Sequence, residues 1–387
     1  MRSLTQRVLI RTFSPTTNAN YGGILQSWAL QLTLADLGVN ALVDSTVSPR
    51  FGRRAPLRTR IRAAVIRLLP AAVLPARLHA EKLRTRINAP LLSFAGRRIP
   101  TRALLDANLQ PRPSVLAEFD AFVVGSDQVW RPKFMNVSAN LFDFLPDADP
   151  RRRFSYAASF GTDGLELGPD ELAATRRLAQ RLDGISVREK SGIDVVRDNW
   201  GLVAEQHVDP TLLVDREAYR GLASYQPSSV QPGSLIDYVL DDTDGSRSVV
   251  NQASKLLGMS VRSLMPTSPS TWGAFRADPQ RYLKPSIEQW LHAFDTAGFV
   301  VTDSYHGTVF SIINNVPFIA IVNHFRGAAR FLSLLDLVDL RERIVEPGAT
   351  LPQSLVTDTI DWDAVNARLH IERTRSRDYL TRMLTRP

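Results

Sequence analysis

One stretch, from Phe299 to Ile321, constrains what this chain can fold into more than any other. Phe299-Val300-Val301 is an apolar run of strand length, and Thr302, Asp303 and Ser304 then change the polarity abruptly and supply capping side chains. Val309, Ile312, Ile313 and Val316 follow at helical spacing until Pro317 stops them, and Phe318 to Val322 reads as the next buried strand. The result is a strand–helix–strand unit with Ser304, Tyr305, His306 and Gly307 at the turn entering the helix. That turn lies at the carboxyl end of a parallel strand, where open α/β sheets bind ligands. Helix N-terminal amides favour an anion there. His306 is therefore a candidate acid or base, and spacing alone fits a satisfied capping histidine equally well.

The totals bound the rest. A chain of 387 residues with 44% hydrophobic content fills two domain cores. No run of 18 apolar residues occurs, and the start, Met1 to Arg7, leads into an apolar stretch (Val8-Leu9-Ile10) too short for a signal peptide. The expectation is a cytoplasmic protein. Absence of cysteine excludes disulfides, thiolate metal sites and a cysteine nucleophile. Six scattered histidines without a His-x-x-x-His pair point to no metal site.

Charge is unevenly spread. Arg50 to Arg102 carries a local net charge of +13 in a chain whose total is +8, so the remainder carries −5. A basic segment on a slightly acidic body argues against a nucleic-acid partner and for a local patch. Within it Leu57, Ile61, Ala64, Val65 and Leu68 form a stripe interrupted by Pro70 and Pro75. This fits a basic helix lying on an anionic membrane surface, or a helical insertion whose arginines face solvent. The short, proline-cut stripe favours the insertion.

Taken in order, Val8 to Ile10 make a first strand, followed by a polar loop through Asn20-Tyr21-Gly22-Gly23 and an amphipathic helix on Leu25, Trp28, Ala29, Leu32 and Leu37. The glycines serve either a ligand or close strand–helix packing. Phe119 to Val124 is a strand running straight into Gly125-Ser126-Asp127-Gln128-Val129-Trp130, which fits a sugar platform or, alternatively, a core tryptophan beside a capping aspartate. A short strand ends at Arg188, where a guanidinium can grip a carboxylate or phosphate or simply pair with Glu189 or another nearby acid. Asp209-Pro210 reads as a turn, and Asp241 to Gly245 as a solvated loop. Trp362 to Leu384 reads as a charged amphipathic helix of the kind that packs back across a domain interface.

Six segments together resemble the polysaccharide pyruvyl transferase family. They are Asn20-Tyr21-Gly22-Gly23-Ile24-Leu25-Gln26, Val124 to Trp130, Tyr156 to Gly161, Ser186-Val187-Arg188-Glu189, Asp209 to Leu213, and Thr302 to Thr308. The resemblance implies an α/β fold of two Rossmann-like domains facing a cleft, similar to B-type glycosyltransferases. Expected bounds are 1–183 for the acceptor-side domain with a basic insertion at 50–102, 184–345 for the donor-side domain, and 346–387 for a helical tail. It also implies transfer of pyruvate from phosphoenolpyruvate to two sugar hydroxyls as a cyclic ketal, without a cofactor.

By that resemblance His306 is the acid/base residue and Arg188 binds phosphoenolpyruvate. Some members carry arginine two positions before the histidine, where Ser304 stands here, so Arg326 or Arg330 becomes the candidate donor cation. The expected donor site is then Arg188, Ser304, Gly307, Thr308 and Arg330, with helix-start amides at 307 and 308. The expected acceptor side is Asn20, Gly22, Gly23, Gln26, Ser126, Asp127 and Trp130. The acceptor is a glycan or lipid-linked oligosaccharide, met at the inner face of the plasma membrane if the basic segment touches lipid. Two other classes fit the same residues: a nucleotide-sugar glycosyltransferase of this fold, and a non-catalytic glycan- or membrane-binding protein.

Overall fold

The computed structural model describes residues 6–46, 80–106, 110–223, 233–322 and 327–385. Two parallel sheets organise them. The first holds β1 (Arg7–Arg11), β2 (Asn40–Asp44), β3 (Thr101–Arg102), β4 (Ala121–Val124) and β5 (Arg152–Ser155) in the order β3-β2-β1-β4-β5. The chain walks outward from β1 and then returns to its other side, which leaves a switch point between the carboxyl ends of β1 and β4. Alternate residues serve opposite faces. Val8, Ile10, Ala121 and Val123 enter one core, and Leu9, Phe122 and Val124 another, so helices cover both sides.

Residues from 184 were expected to open a second unit, and here the structure differs. β6 (Ser186–Val187) and β7 (Glu205–Gln206) run parallel to each other and continue the first sheet past β5. The Ala158 amide donates to the Ser186 carbonyl and the Arg188 amide to the Ala158 carbonyl, both at 3.0 Å. A two-residue strand carries too little periodicity to reveal which sheet it joins.

The second sheet starts at β8 (Leu235–Tyr238) and continues with β9 (Val261–Ser263), β10 (Phe299–Thr302), β11 (Phe318–Ile321) and β12 (Ile344–Val345). Its order, β12-β11-β10-β8-β9, places a second switch point between β8 and β10. The strand–helix–strand unit read from Phe299 to Ile321 is therefore the middle of this sheet, and β10 is buried at all four positions.

Six helices position the site: α1 (Tyr21–Asp36), α2 (Pro210–Leu213), α3 (Ile287–Thr296), α4 (Tyr305–Asn314), α5 (Ala329–Val338) and α6 (Trp362–Thr385). One continuous core joins the sheets through α1. Tyr21 stacks on Trp290 of α3 at 5.1 Å between ring centroids and donates its hydroxyl to the Pro285 carbonyl at 2.7 Å. Trp28 lies 5.5 Å from Tyr219. α6 straps both halves: Tyr379 donates to the Ser155 carbonyl at 2.9 Å, and Arg368 pairs with Asp339 at 2.9 Å.

Among the described residues no helix is long and apolar enough to cross a membrane. The stripe from Leu57 to Leu68, on which the membrane expectation rests, lies outside them. Of the basic segment, the helix Ala80–Ile87 packs Leu83 against Trp272 and Phe275 of the second half.

Candidate functional site

His306 is delivered by the second switch point. Thr302 ends β10 and donates its hydroxyl to the Tyr238 carbonyl at 2.7 Å, tying β10 to β8. The Asp303 carboxylate accepts the Leu240 and Asp241 amides at 2.6 and 2.7 Å, which closes the loop after β8 against the turn after β10. Ser304 caps α4 by accepting the Gly307 amide at 3.4 Å. The backbone is thus fixed on both sides, and His306 on the first turn of α4 projects toward α1. There it meets Gly22, where a methyl group would overlap the imidazole ring.

Between the switch points sits Asp209, fully buried at the N-cap of α2. Its Oδ1 accepts the Thr211 amide and hydroxyl at 3.1 and 2.7 Å. Its Oδ2 accepts from Gln26 Nε2 and from Arg188 Nη1, the latter at 3.0 Å, and lies 3.5 Å from Ser126 Oγ and 3.7 Å from His306 Nε2. The last separation is an ion-pair distance, longer than a direct hydrogen bond. Burial alone would raise the Asp209 pKa, but His306, Arg188 and Thr211 outweigh it and hold the carboxyl well below the usual range. Asp209 was expected to be only a turn residue. Sequence reasoning missed it because the strand before it, β7, is two polar residues long.

Arg188 lies at the end of β6 inside a ring of acids. Besides Asp209 it reaches Asp127 at 3.4 Å and Glu189 at 4.0 Å, and its guanidinium sits 4.6 Å from the centre of the Tyr305 ring. Burial works against its charge, but Tyr305 and the three carboxylates outweigh it, so its pKa stands above the ordinary value. The salt-bridge alternative is thus the one seen for Arg188. Arg330, on the first turn of α5, lies 5.9 Å from the same tyrosine ring. Burial and repulsion from Arg188 lower its pKa to about 10, so it remains a cation at neutral pH. Arg326 lies outside the described residues.

The remaining expected residues divide. Gly22, Gln26, Ser126, Asp127, Arg188 and His306 are brought together around Asp209. Asn20 is exposed and accepts the Gly22 amide at 3.0 Å as the cap of α1, and the Gly23 carbonyl accepts the Ser27 hydroxyl at 3.0 Å. The amides of Gly307 and Thr308 were expected to face a donor. Both instead bond to Ser304, the second through its carbonyl at 3.0 Å, because the cap uses them. Trp130 is no sugar platform: it is fully buried, with ring centroids 5.1 Å from both Phe160 and Trp200. The turn at 125–129 rolls its indole under the sheet and leaves Ser126 and Asp127 on the cleft side.

Two Rossmann-like sheets whose switch points face each other across a buried histidine–carboxylate–arginine cluster define an α/β enzyme-type cleft. The family model for polysaccharide pyruvyl transferases matches residues 20–324, and the chain belongs to that family of transferases acting on polysaccharide. No curated protein matches the sequence. Among solved structures, the UDP-GlcNAc 2-epimerase of Methanocaldococcus jannaschii is 11% identical over 99% of each chain, with a TM-score of 0.49. A UDP-glucosyltransferase of Polygonum tinctorium is 11% identical over 100% of each chain at a TM-score of 0.40. The E. coli heptosyltransferase WaaC is 13% identical over 95% of this chain and 100% of its own, at 0.35.

Proposed function

We propose that this protein moves a pyruvyl group from phosphoenolpyruvate onto two hydroxyls of one sugar in a polysaccharide or its precursor, forming a cyclic ketal. The observation that carries the reading is His306, held at the start of α4 against Gly22 and 3.7 Å from a buried carboxylate, in a chain of the pyruvyl transferase family.

The chemistry asks for one proton donor that can also accept. His306 gives a proton to the methylene carbon of the enol, which leaves an oxocarbenium centre at C2. The first hydroxyl adds to C2 and returns its proton to His306. The C2–O bond to phosphate then breaks, and phosphate departs with the proton that His306 has just received. The second hydroxyl adds to the renewed oxocarbenium and passes its proton to His306, closing the ketal and restoring the histidine. No cofactor beyond the donor enters this balance.

Asp209, 3.7 Å from His306 Nε2, and Gly22 on the ring's other side keep the imidazole aimed between the two halves. Arg330 meets the donor's anionic groups. Arg188 joins it by exchanging its longer contact, Asp127 at 3.4 Å, for the donor's carboxylate, while Asp209 stays bound at 3.0 Å.

The test is a thermal-shift titration with phosphoenolpyruvate beside UDP-, GDP- and ADP-sugars, on wild type and Arg330→Ala. A ligand at about a hundred times its dissociation constant stabilises the fold by roughly 2.7 kcal/mol. Stabilisation by phosphoenolpyruvate that weakens in the arginine variant is the expected result. Stabilisation by a nucleotide sugar alone would overturn the reaction assigned here.

A further inference from the structure

Trp130 vacates the role of sugar platform, and the same turn supplies another aromatic for it. Phe134 has 47% of its surface open, and it is the one exposed aromatic side chain among the described residues. A single exposed apolar residue is ordinary. This one is not single. Phe13 stands against it edge to face, with ring centroids 6.4 Å apart and planes at 67°. Both rings come from loops at the carboxyl edge of the first sheet, one after β1 and one after β4. Those are the loops that flank the switch point, and Thr12 joins them by donating its hydroxyl to the Ser126 carbonyl at 2.9 Å.

Cations surround the exposed ring. The Arg131 guanidinium lies 5.3 Å and the Lys133 ammonium 5.9 Å from the Phe134 centroid. Arg131 is held in place by Gln128 at 3.0 Å and Glu166 at 3.3 Å, and Lys133 is exposed. The turn is braced as well: the Phe134 and Met135 amides both donate to the Arg131 carbonyl, at 3.0 and 3.1 Å. Arg131 is buried and packs over part of the ring, whereas Lys133 is exposed, so the open part of Phe134 offers an apolar face with one free ammonium beside it. That combination matches a pyranose, whose C–H face packs on an aromatic ring while a hydroxyl or acidic substituent meets the ammonium.

We infer that Phe134, backed by Phe13, packed on one part by Arg131 and flanked by the exposed Lys133, is a carbohydrate-binding subsite for a sugar unit of the acceptor. The assignment rests on the acceptor half of the proposed function and is independent of the donor. It names a ring that the sequence pattern overlooked, because Phe134 follows Lys133 in a loop with no strand or helix periodicity to mark it.

Saturation-transfer NMR tests it with three probes, the methyl glycosides of glucose, galactose and mannose, against wild type, Phe134→Ala and Phe134→Tyr. At least one glycoside should receive saturation through its C–H face from wild type and from the tyrosine variant. The alanine variant should lose that signal by about fivefold or more. The thermal shift given by phosphoenolpyruvate should be the same in all three proteins. Equal saturation by wild type and Phe134→Ala, or none of the three glycosides bound by wild type, overturns the subsite. A missing phosphoenolpyruvate shift in all three proteins counts against the donor assignment and leaves the glycoside result to decide the subsite.

Discussion

Gly22 of α1 and His306 of α4 meet backbone to ring between the two sheets, with no room for a methyl group. Since Asp303 and Ser304 fix the backbone of His306, a side chain at position 22 must push the imidazole rather than the helix. In Gly22→Ala we expect kcat/KM to fall by about 10²-fold, the scale on which a misplacement near 1 Å acts. Overpacking should also cost about 1–3 kcal/mol in urea unfolding. Adding His306→Ala should restore that stability without restoring activity. Simple additivity of the two stability changes would mean that ring and glycine do not press on each other.

Asp209→Asn keeps the shape and removes the charge that Arg188 and His306 share. Breaking a buried pair on one side should destabilise the protein by about 3–5 kcal/mol near neutral pH. The folded pKa of Asp209 is depressed, so its contribution is complete above the unfolded value of about 4 and is lost as pH falls below it. Urea titrations at pH 7 and pH 3 should therefore show wild type and variant far apart at the first pH and closer at the second. The same gap at both would show that Asp209 carries no net linkage.

Much of this site was legible in the sequence for one physical reason: a buried strand that stops at a polar turn announces a sheet's carboxyl edge. Val124-Gly125-Ser126-Asp127 and Val301-Thr302-Asp303-Ser304 both do so, and both turned out to flank switch points. What stayed hidden involves short elements and long separations. β6 and β7 are two residues each, so neither their sheet nor the Asp209 that follows them could be read. Arg188 shows the limit of local reading, since its partners Asp127 and Asp209 lie 61 and 21 positions away. The inward turn of Trp130 depends on Trp200 and Phe160, which no local pattern joins to it.

His207 lies outside the His306–Asp209–Arg188 cluster, and its burial predicts a pH dependence of stability. Its Nδ1 is 2.8 Å from Ser186 Oγ, and its ring is 4.5 Å from that of Tyr379 on α6. Burial, reinforced by Arg375 and Arg382, lowers its pKa to about 3. An unfolded histidine titrates near 6.5, so between about pH 6.5 and 3 the unfolded chain binds a proton that the native protein does not. Stability is then full above that window and falls on acidification, by up to about 1.4 kcal/mol per pH unit. His207→Gln should flatten the slope of unfolding free energy against pH between about 6.5 and 4. An unchanged slope would place the acid sensitivity elsewhere.

Trp130 and Phe134 separate stability from recognition within one turn. Trp130 is enclosed by Phe160 and Trp200, so Trp130→Ala should leave a cavity and cost about 3–5 kcal/mol, with Trp130→Phe costing less. Neither change should alter the saturation that methyl glycosides receive from protein that remains folded. Phe134 is 47% exposed, so Phe134→Ala should move the urea midpoint little and abolish most of that saturation. The two residues are four positions apart, and their effects should be opposite in kind. A tryptophan variant that folds normally and loses glycoside binding would return the platform to Trp130 and require the turn to open in solution.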